Sequence, residues 1–208
     1  MRIVPRWVLL SSGCAPLALI AGWTVGGALE GPGYDPVSDT ISVLGAYGTP
    51  GYWAMTGAFL VLGGCHLLTA WGLRTASAAG RVALGGGGVA AFMVVMLPAP
   101  ASGGSLRHGT AVVIGFTLLA VWPVLAARGA VAAAPWALRP APALAATAAM
   151  TVGGAWFLFE MQRHGAAGAA ERVVTFAQSV WPFVVVASGP HGPVSEPLSR
   201  EDQPAMRP

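Results

Sequence analysis

The stretch from residue 7 to residue 29, WVLLSSGCAPLALIAGWTVGGAL, contains no charged residue. As a helix it is long enough to cross a hydrocarbon core of about 30 Å, which needs about 20 apolar residues. Whether it is kept or cleaved decides the fold. The run Leu10-Ser11-Ser12-Gly13-Cys14 has the outline of a lipoprotein cleavage site. A secretory leader carries about 7–15 apolar residues ahead of its cut. Here the stretch before Cys14 is much shorter, and a long apolar stretch follows it. The segment therefore reads as a retained membrane helix.

The rest of the chain agrees. It has 208 residues, 55% hydrophobic and 9% charged, where a soluble domain carries about 25% charged residues. So few charges cannot cover a globule in water; lipid is the simpler solvent. The 29 glycines and 17 prolines suit membrane helices, where both are enriched. Six segments have the length and polarity of spans: about 7–29, 53–73, 82–97, 109–127, 141–160 and 172–188. The third is the shortest and begins at the Gly85–Gly88 tetrad, which predicts an irregular start. The expected fold class is an all-α membrane protein, a six-transmembrane helix bundle within residues 1–189. Residues 190–208 read as a polar, Pro-rich, disordered cytoplasmic tail.

Arginine supplies every basic side chain, and its placement orients the bundle. With the N-terminus inside, Arg2, Arg6, Arg74, Arg81, Arg128, Arg139, Arg200 and Arg207 fall on the inner side. Only Arg107, Arg163 and Arg172 fall outside. Eight against three fits the positive-inside rule, with both termini cytoplasmic in a bacterial cytoplasmic membrane. Scattered arginines and a net charge of +3 make no nucleic-acid footprint. Gly22 and Gly26 form a G-xxx-G, and Gly57, Gly63 and Gly64 thin the second span for close helix approach.

Between the first two spans lies GPGYDPVSDTISVLGAYGTPGYW, residues 31–53. Asp35, Ser38, Asp39 and Ser42 recur at helical spacing, with Val37, Ile41 and Leu44 opposite. Asp35 suits an N-cap, Pro36 the first helical position and Gly45 the position past the end. This predicts a short amphipathic helix over Pro36–Leu44 in the first extracytoplasmic loop. Its polar arc spans only roughly 100°, so the helix should rest on the bundle's outer mouth. Ser38, Asp39 and Ser42 then either face water or point into a vestibule.

Other polar residues fall on the same side. Arg107 and His108 open the fourth span; Glu160, Arg163 and His164 close the fifth; Glu171 and Arg172 open the sixth. Glu160 with Arg163 and Glu160 with His164 are helical neighbours if that helix continues. Glu171, Thr175 and Gln178 descend one face at i, i+4 and i+7. A polar stripe in a membrane faces protein or a wet cavity, because unpaired polar groups in hydrocarbon cost several kcal/mol. The outer arginines fit a phosphate or carboxylate bidentately, or close ion pairs with Asp39, Glu160 and Glu171. The latter is the stronger expectation.

His108 and His164, with Asp39 or Glu171, offer N and O donors to a metal. No H-x-x-x-H or H-E-x-x-H spacing supports this, and no metal is assigned. His66 lies about 20 Å below the outer face, from 13 residues at about 1.5 Å each. An ionisable residue at that depth is a functional candidate; otherwise it is a neutral histidine hydrogen-bonded in the bundle. Cys14, Cys65 and His66 share a depth and are expected to pack together. No disulfide framework, nucleotide fingerprint or C-x-x-C is present, and no cofactor is expected.

The run from Gly33 to Gly45 resembles the signature Y-[DS]-P-x-S-x-x-I-S-x-L-G of a prokaryotic membrane family, domain of unknown function 998. His108-Gly109 and Gly168-Ala169-Ala170-Glu171-Arg172 resemble its other recurring patches. The likeness spans about residues 9–186 and implies a six-helix membrane fold with no established activity. Members often carry an acidic residue after the proline ending the third helix; Leu97-Pro98-Ala99-Pro100 has none.

Three function classes follow. The first is a binding, sensing or structural protein with an extracytoplasmic polar pocket for a lipid headgroup or small anionic ligand. The second is a membrane-embedded enzyme on a lipid or envelope substrate, with Asp39, His108 or Glu171 as acid–base groups. The third is a small transporter or channel. The bilayer is the expected partner, with a homo-oligomer as a further possibility.

Overall fold

A computed structural model describes residues 4–100, 104–128 and 135–189. The cytoplasmic tail expected over 190–208 lies outside the described residues. All regular structure described is helical: α1 (Arg6–Leu29), α2 (Ile41–Leu44), α3 (Tyr52–Gly72), α4 (Ala78–Met96), α5 (Leu106–Ala126), a 3-10 turn (Trp136–Leu138), α6 (Pro140–Arg163) and α7 (Ala167–Ala187). Five of the long helices, α1 and α3 to α6, are long and apolar enough to cross a membrane. The sixth, α7, equals α3 and α5 at 21 residues. It carries Glu171, Arg172, Thr175 and Gln178.

Each long helix packs on the next, and α7 packs back on α1. The result is a closed ring of six helices, as short antiparallel connections favour. Every α-helix passes from one end of the ring to the other except α2, which sits at one end against α1, α3 and α7. We call this the α2 end. The opposite, terminal end is filled by the main core: Val4, Val8, Leu73, Leu84, Trp122, Leu138, Val185 and Val186 are all buried there.

Glycine sets the helix spacing at some of the expected positions and not others. A Cβ on Gly22 would lie 2.3 Å from Ala58 Cβ, so α1 and α3 touch there. Gly63 and Gly88 cross backbone to backbone: a Cβ on either would come within 2.8 Å of the other's carbonyl oxygen. Gly57 and Gly64 face open space.

Two expectations need correction. The Gly85–Gly88 tetrad does not fray a helix start, because α4 begins earlier, at Ala78, and runs through it. Ser77 caps that start by accepting the Gly80 N–H at 3.1 Å. Packing against α3 and α5 then outweighs the glycines' low propensity. The loop helix is also shorter than its pattern. Only Ile41–Leu44 is helical, and residues 36–39 form a turn. Asp35 is not the cap of that helix. It accepts the Val37 N–H at 3.0 Å and the Ser38 hydroxyl at 3.1 Å, closing the turn. Thr40 precedes α2 in extended conformation with no side-chain cap.

Candidate functional site

The reason for the short helix lies on α7. A helix opens with backbone N–H groups that have no partner inside it. In α7, the Gly168 N–H donates to the Ser38 carbonyl at 3.2 Å and the Ala169 N–H to the Val37 carbonyl at 3.0 Å. Arg172 Nη1 takes the carbonyls of Pro36 (2.8 Å), Asp39 (2.9 Å) and its own Gly168 (2.9 Å). A second guanidinium nitrogen donates to the Tyr34 hydroxyl. Burial pushes the Tyr34 pKa up, with Arg172 pulling the other way. The carbonyls of 36–39 are thus spent on α7 and cannot extend α2 toward its N-terminus.

Glu171 completes the junction. Its carboxylate accepts the Ile41 N–H at 2.5 Å and the Ser42 hydroxyl at 3.2 Å. It therefore caps α2 from the far end of the chain. From the other side, His108 on α5 places Nε2 3.2 Å from Ser42 Oγ, and its Nδ1 meets the Leu97 carbonyl at 2.8 Å. A carbonyl only accepts, so Nδ1 carries a proton. In a neutral ring Nε2 must then accept. Ser42 has a single hydroxyl proton, and both Nε2 and Glu171 lie within its reach. The trio is fully bonded only when one more proton is held by either His108 or Glu171. Ser42 bridges the two groups.

Beneath this lid is a partly open cavity of about 70 Å³, room for several waters. Ile41, Ser42 and Glu171 line its top. Its walls are apolar residues such as Phe59, Leu62, Val94, Ala111 and Phe116. Glu171, Thr175, Gln178 and Ser179 run down one side to His66 and Leu119. Below Leu119 the main core closes the bundle, with Leu84 and Trp122 fully buried.

The remaining candidates lie elsewhere. Asp39 does not enter the cavity; its carboxylate accepts the Asp35 N–H at 2.9 Å within the turn. Ser38 is exposed and bonded to Asp35. Arg107 is exposed at the start of α5. The expected Glu160–His164 helical pair does not form, because α6 ends at Arg163 and His164 adopts the left-handed conformation at φ 54°. Glu160 instead accepts the Ala166 N–H at 2.9 Å and the Trp156 indole N–H at 3.2 Å. Arg163 stacks over Phe159.

The expectation of arginine–carboxylate ion pairs is likewise corrected. Among the described residues, the hydrogen bonds of Arg74, Arg81 and Arg128 go to main-chain carbonyls, and those of Arg172 go to carbonyls and Tyr34. Carboxylates of Glu30, Asp35, Asp39, Glu160 and Glu171 each accept a main-chain N–H. Helix and turn ends offer charged groups fixed partners at short range. No cluster of three or more His, Cys, Asp or Glu suited to a metal occurs among the described residues.

The sequence did not single out Tyr34, Leu97 or Gly168. Tyr34 and Gly168 belong to the recurring patches, which was the available signal; the Leu97 carbonyl had none. Cys14 does lie beside Cys65. His66, expected to be hydrogen-bonded if structural, has no partner on either ring nitrogen.

A ring of long helices, most of them apolar enough to cross a bilayer, with a polar lid at one end, defines a multi-pass membrane protein. The chain belongs to the family described as "Protein of unknown function (DUF998)", matched over residues 13–188. No curated protein and no solved structure matches it.

Proposed function

We propose that this protein binds a slim amphipathic ligand in the cavity beneath its first loop, in a sensing or structural role. All six long helices span a bacterial cytoplasmic membrane, the α2 end is extracytoplasmic, and both termini are cytoplasmic. The arginine distribution supports this orientation.

One observation carries the binding reading: Ser42 and Glu171, hydrogen-bonded to each other, close the top of an apolar cavity lower down lined by His66 and Gln178. The ligand chemistry follows from the lid. Arg172 is committed to carbonyls, and a carboxylate faces the cavity. That favours a hydrogen-bond donor, an alcohol or amine, over the anion the outer arginines suggested. The buried core below Leu119 disfavours a transport path. The test is mass spectrometry of small molecules extracted from purified protein. Ala111→Leu, which narrows the cavity, should lose a species that wild type and the exposed control Ala148→Leu retain. Identical extracts from all three would refute the reading.

A second reading is favoured by the Ser42–His108 contact. In acyl transfer, Ser42 Oγ would bond to the acyl carbon of an ester while His108 Nε2 takes its proton and returns it to the departing alcohol. The Ile41 N–H that could steady the oxyanion is held by Glu171, which weighs against it. Covalent labelling of Ser42 by a fluorophosphonate, absent in His108→Ala, would favour this reading over binding alone.

A further inference from the structure

The outer wall between α4 and α5 carries a groove of about 440 Å³. Gly86, Ala90, Met93 and Leu97 line it from α4 at i, i+4, i+7 and i+11. Arg107, Ala111, Ile114 and Leu118 line it from α5 at the same spacing. That spacing keeps to one side of a helix, so the groove follows both helices along their length. Small residues make its floor. Ala90 and Ala111 are buried and also line the cavity under the loop, so they separate the two spaces. Val89, Met93 and Ile114, each about half exposed, form the rims. At the far end a Cβ on Gly86 would lie 2.9 Å from Leu118 Cδ1, so Leu118 closes the groove there. At the α2 end the groove is headed by Arg107, the exposed second residue of α5.

Length and charge select an occupant. Arg107 and Leu118 are eleven residues apart, about 16.5 Å along α5 at about 1.5 Å per residue. One leaflet is half of a hydrocarbon core of about 30 Å, or about 15 Å. The groove thus has an arginine at headgroup level and runs the depth of one leaflet, as an extended acyl chain does. Among the described residues that line it, Arg107 alone is charged and none is aromatic. A guanidinium matches two phosphate oxygens in a fork. A choline headgroup adds a cation for which the groove offers neither a carboxylate nor an aromatic face. A second copy of the chain packed here would bring a second Arg107 to the same depth, again with no carboxylate to meet it.

We infer that the α4–α5 groove is a binding site for an anionic phospholipid of the leaflet at the α2 end. One acyl chain lies along the floor, and the phosphate sits on Arg107. The site is distinct from the cavity and does not depend on the cavity holding a ligand.

The test uses purified full-length protein, delipidated in detergent. It is titrated with phosphatidylglycerol and with phosphatidylcholine of the same acyl chains, and bound lipids are counted by native mass spectrometry. Wild type should bind the first phosphatidylglycerol at least about fivefold tighter, the pull of one arginine on an anionic lipid. Arg107→Gln should bring the preference to about one. Arg163→Gln, also exposed at the α2 end, should keep it. Ile114→Trp places a ring in the groove and should weaken phosphatidylglycerol binding at least about tenfold. Val113→Trp, half exposed and outside the groove, should not. Equal binding of the two lipids by wild type overturns the site, as does a preference that survives Arg107→Gln or falls equally in Arg163→Gln. Unchanged affinity in Ile114→Trp, or equal loss in both tryptophan variants, also overturns it. A dimer that Ile114→Trp disrupts would assign the groove to a second copy instead.

Discussion

Gly168→Ala tests the dock between the first loop and α7, because two physical effects predict opposite signs. On helix propensity alone, alanine stabilises α7 by about 0.8–1.0 kcal/mol. Packing reverses this. A Cβ on residue 168 would lie 2.1 Å from the Asp39 carbonyl oxygen and 2.7 Å from that of Pro36. Ordinary contact begins at 3.4 Å, so the loop must retreat by more than 1 Å. The bonds from Gly168 N–H to Ser38 (3.2 Å) and from Ala169 N–H to Val37 (3.0 Å) do not survive such a shift. Each is worth about 0.5–1.5 kcal/mol, and one charge-assisted bond from Arg172 about 1.5–3 kcal/mol. Losing these three and subtracting the propensity gain leaves the dock weaker by about 1.5–5 kcal/mol. Amide hydrogen exchange reports this directly. The Ile41 and Ala169 amides should exchange at least about tenfold faster, since about 1.4 kcal/mol is a factor of ten. Unchanged or slower exchange at both would refute the reasoning, and would mean that propensity outweighs the close approach.

Three further outcomes are expected. Glu171→Gln keeps the side chain's shape but replaces one acceptor oxygen with a donor, so it weakens the cap on α2 by about 1–3 kcal/mol; the Ile41 amide should again exchange faster, while the α3 amides do not change. Gly88→Val forces a side chain to within 2.7 Å of the Gly63 carbonyl and costs about 1–3 kcal/mol of overpacking; it should lower the thermal midpoint in detergent, whereas Gly64→Ala, whose Cβ meets open space, should not. In a background with Cys14 and Cys65 replaced by alanine, Gly33→Cys should react with an impermeant maleimide from outside intact cells, and Ala78→Cys only after the membrane is opened; the reverse pattern inverts the proposed topology.

Most of the ring of helices was legible because five of the long helices each carry their own apolar signal. The second span, read as 53–73, is α3 at Tyr52–Gly72. Twenty apolar residues mean the same thing wherever they occur. The start of α4 was misread because four glycines look like a break, and only the facing helices show why they are not one. The loop was misread for a related reason. Helical spacing in residues 35–44 is a local pattern, but the carbonyls that would have continued the helix are taken by Gly168, Ala169 and Arg172. The grouping of Ser42 with Glu171 joins residues 129 apart in the chain. Composition and spacing can place both at the same end of a bundle, but they cannot pair them. His66 stood out by depth alone, and its lack of partners is a property of the packed interior.

The lid and its anchor are also separated in time. Ile41 leaves the ribosome 130 residues before Glu171. At about 5–20 residues per second, the wait is roughly 7–26 seconds. Throughout that interval the carbonyls of residues 36–39 have only water or lipid headgroups for company. The five most apolar helices are already made, yet they form an arc with a gap between α6 and α1. Packing of α7, 21 residues long, between α6 and α1 converts the arc into a ring and fixes the loop in one event. A chain that stops short of Ala167 would therefore insert well and still present its interior sideways to lipid. Ring and lid are complete only once α7 is in place.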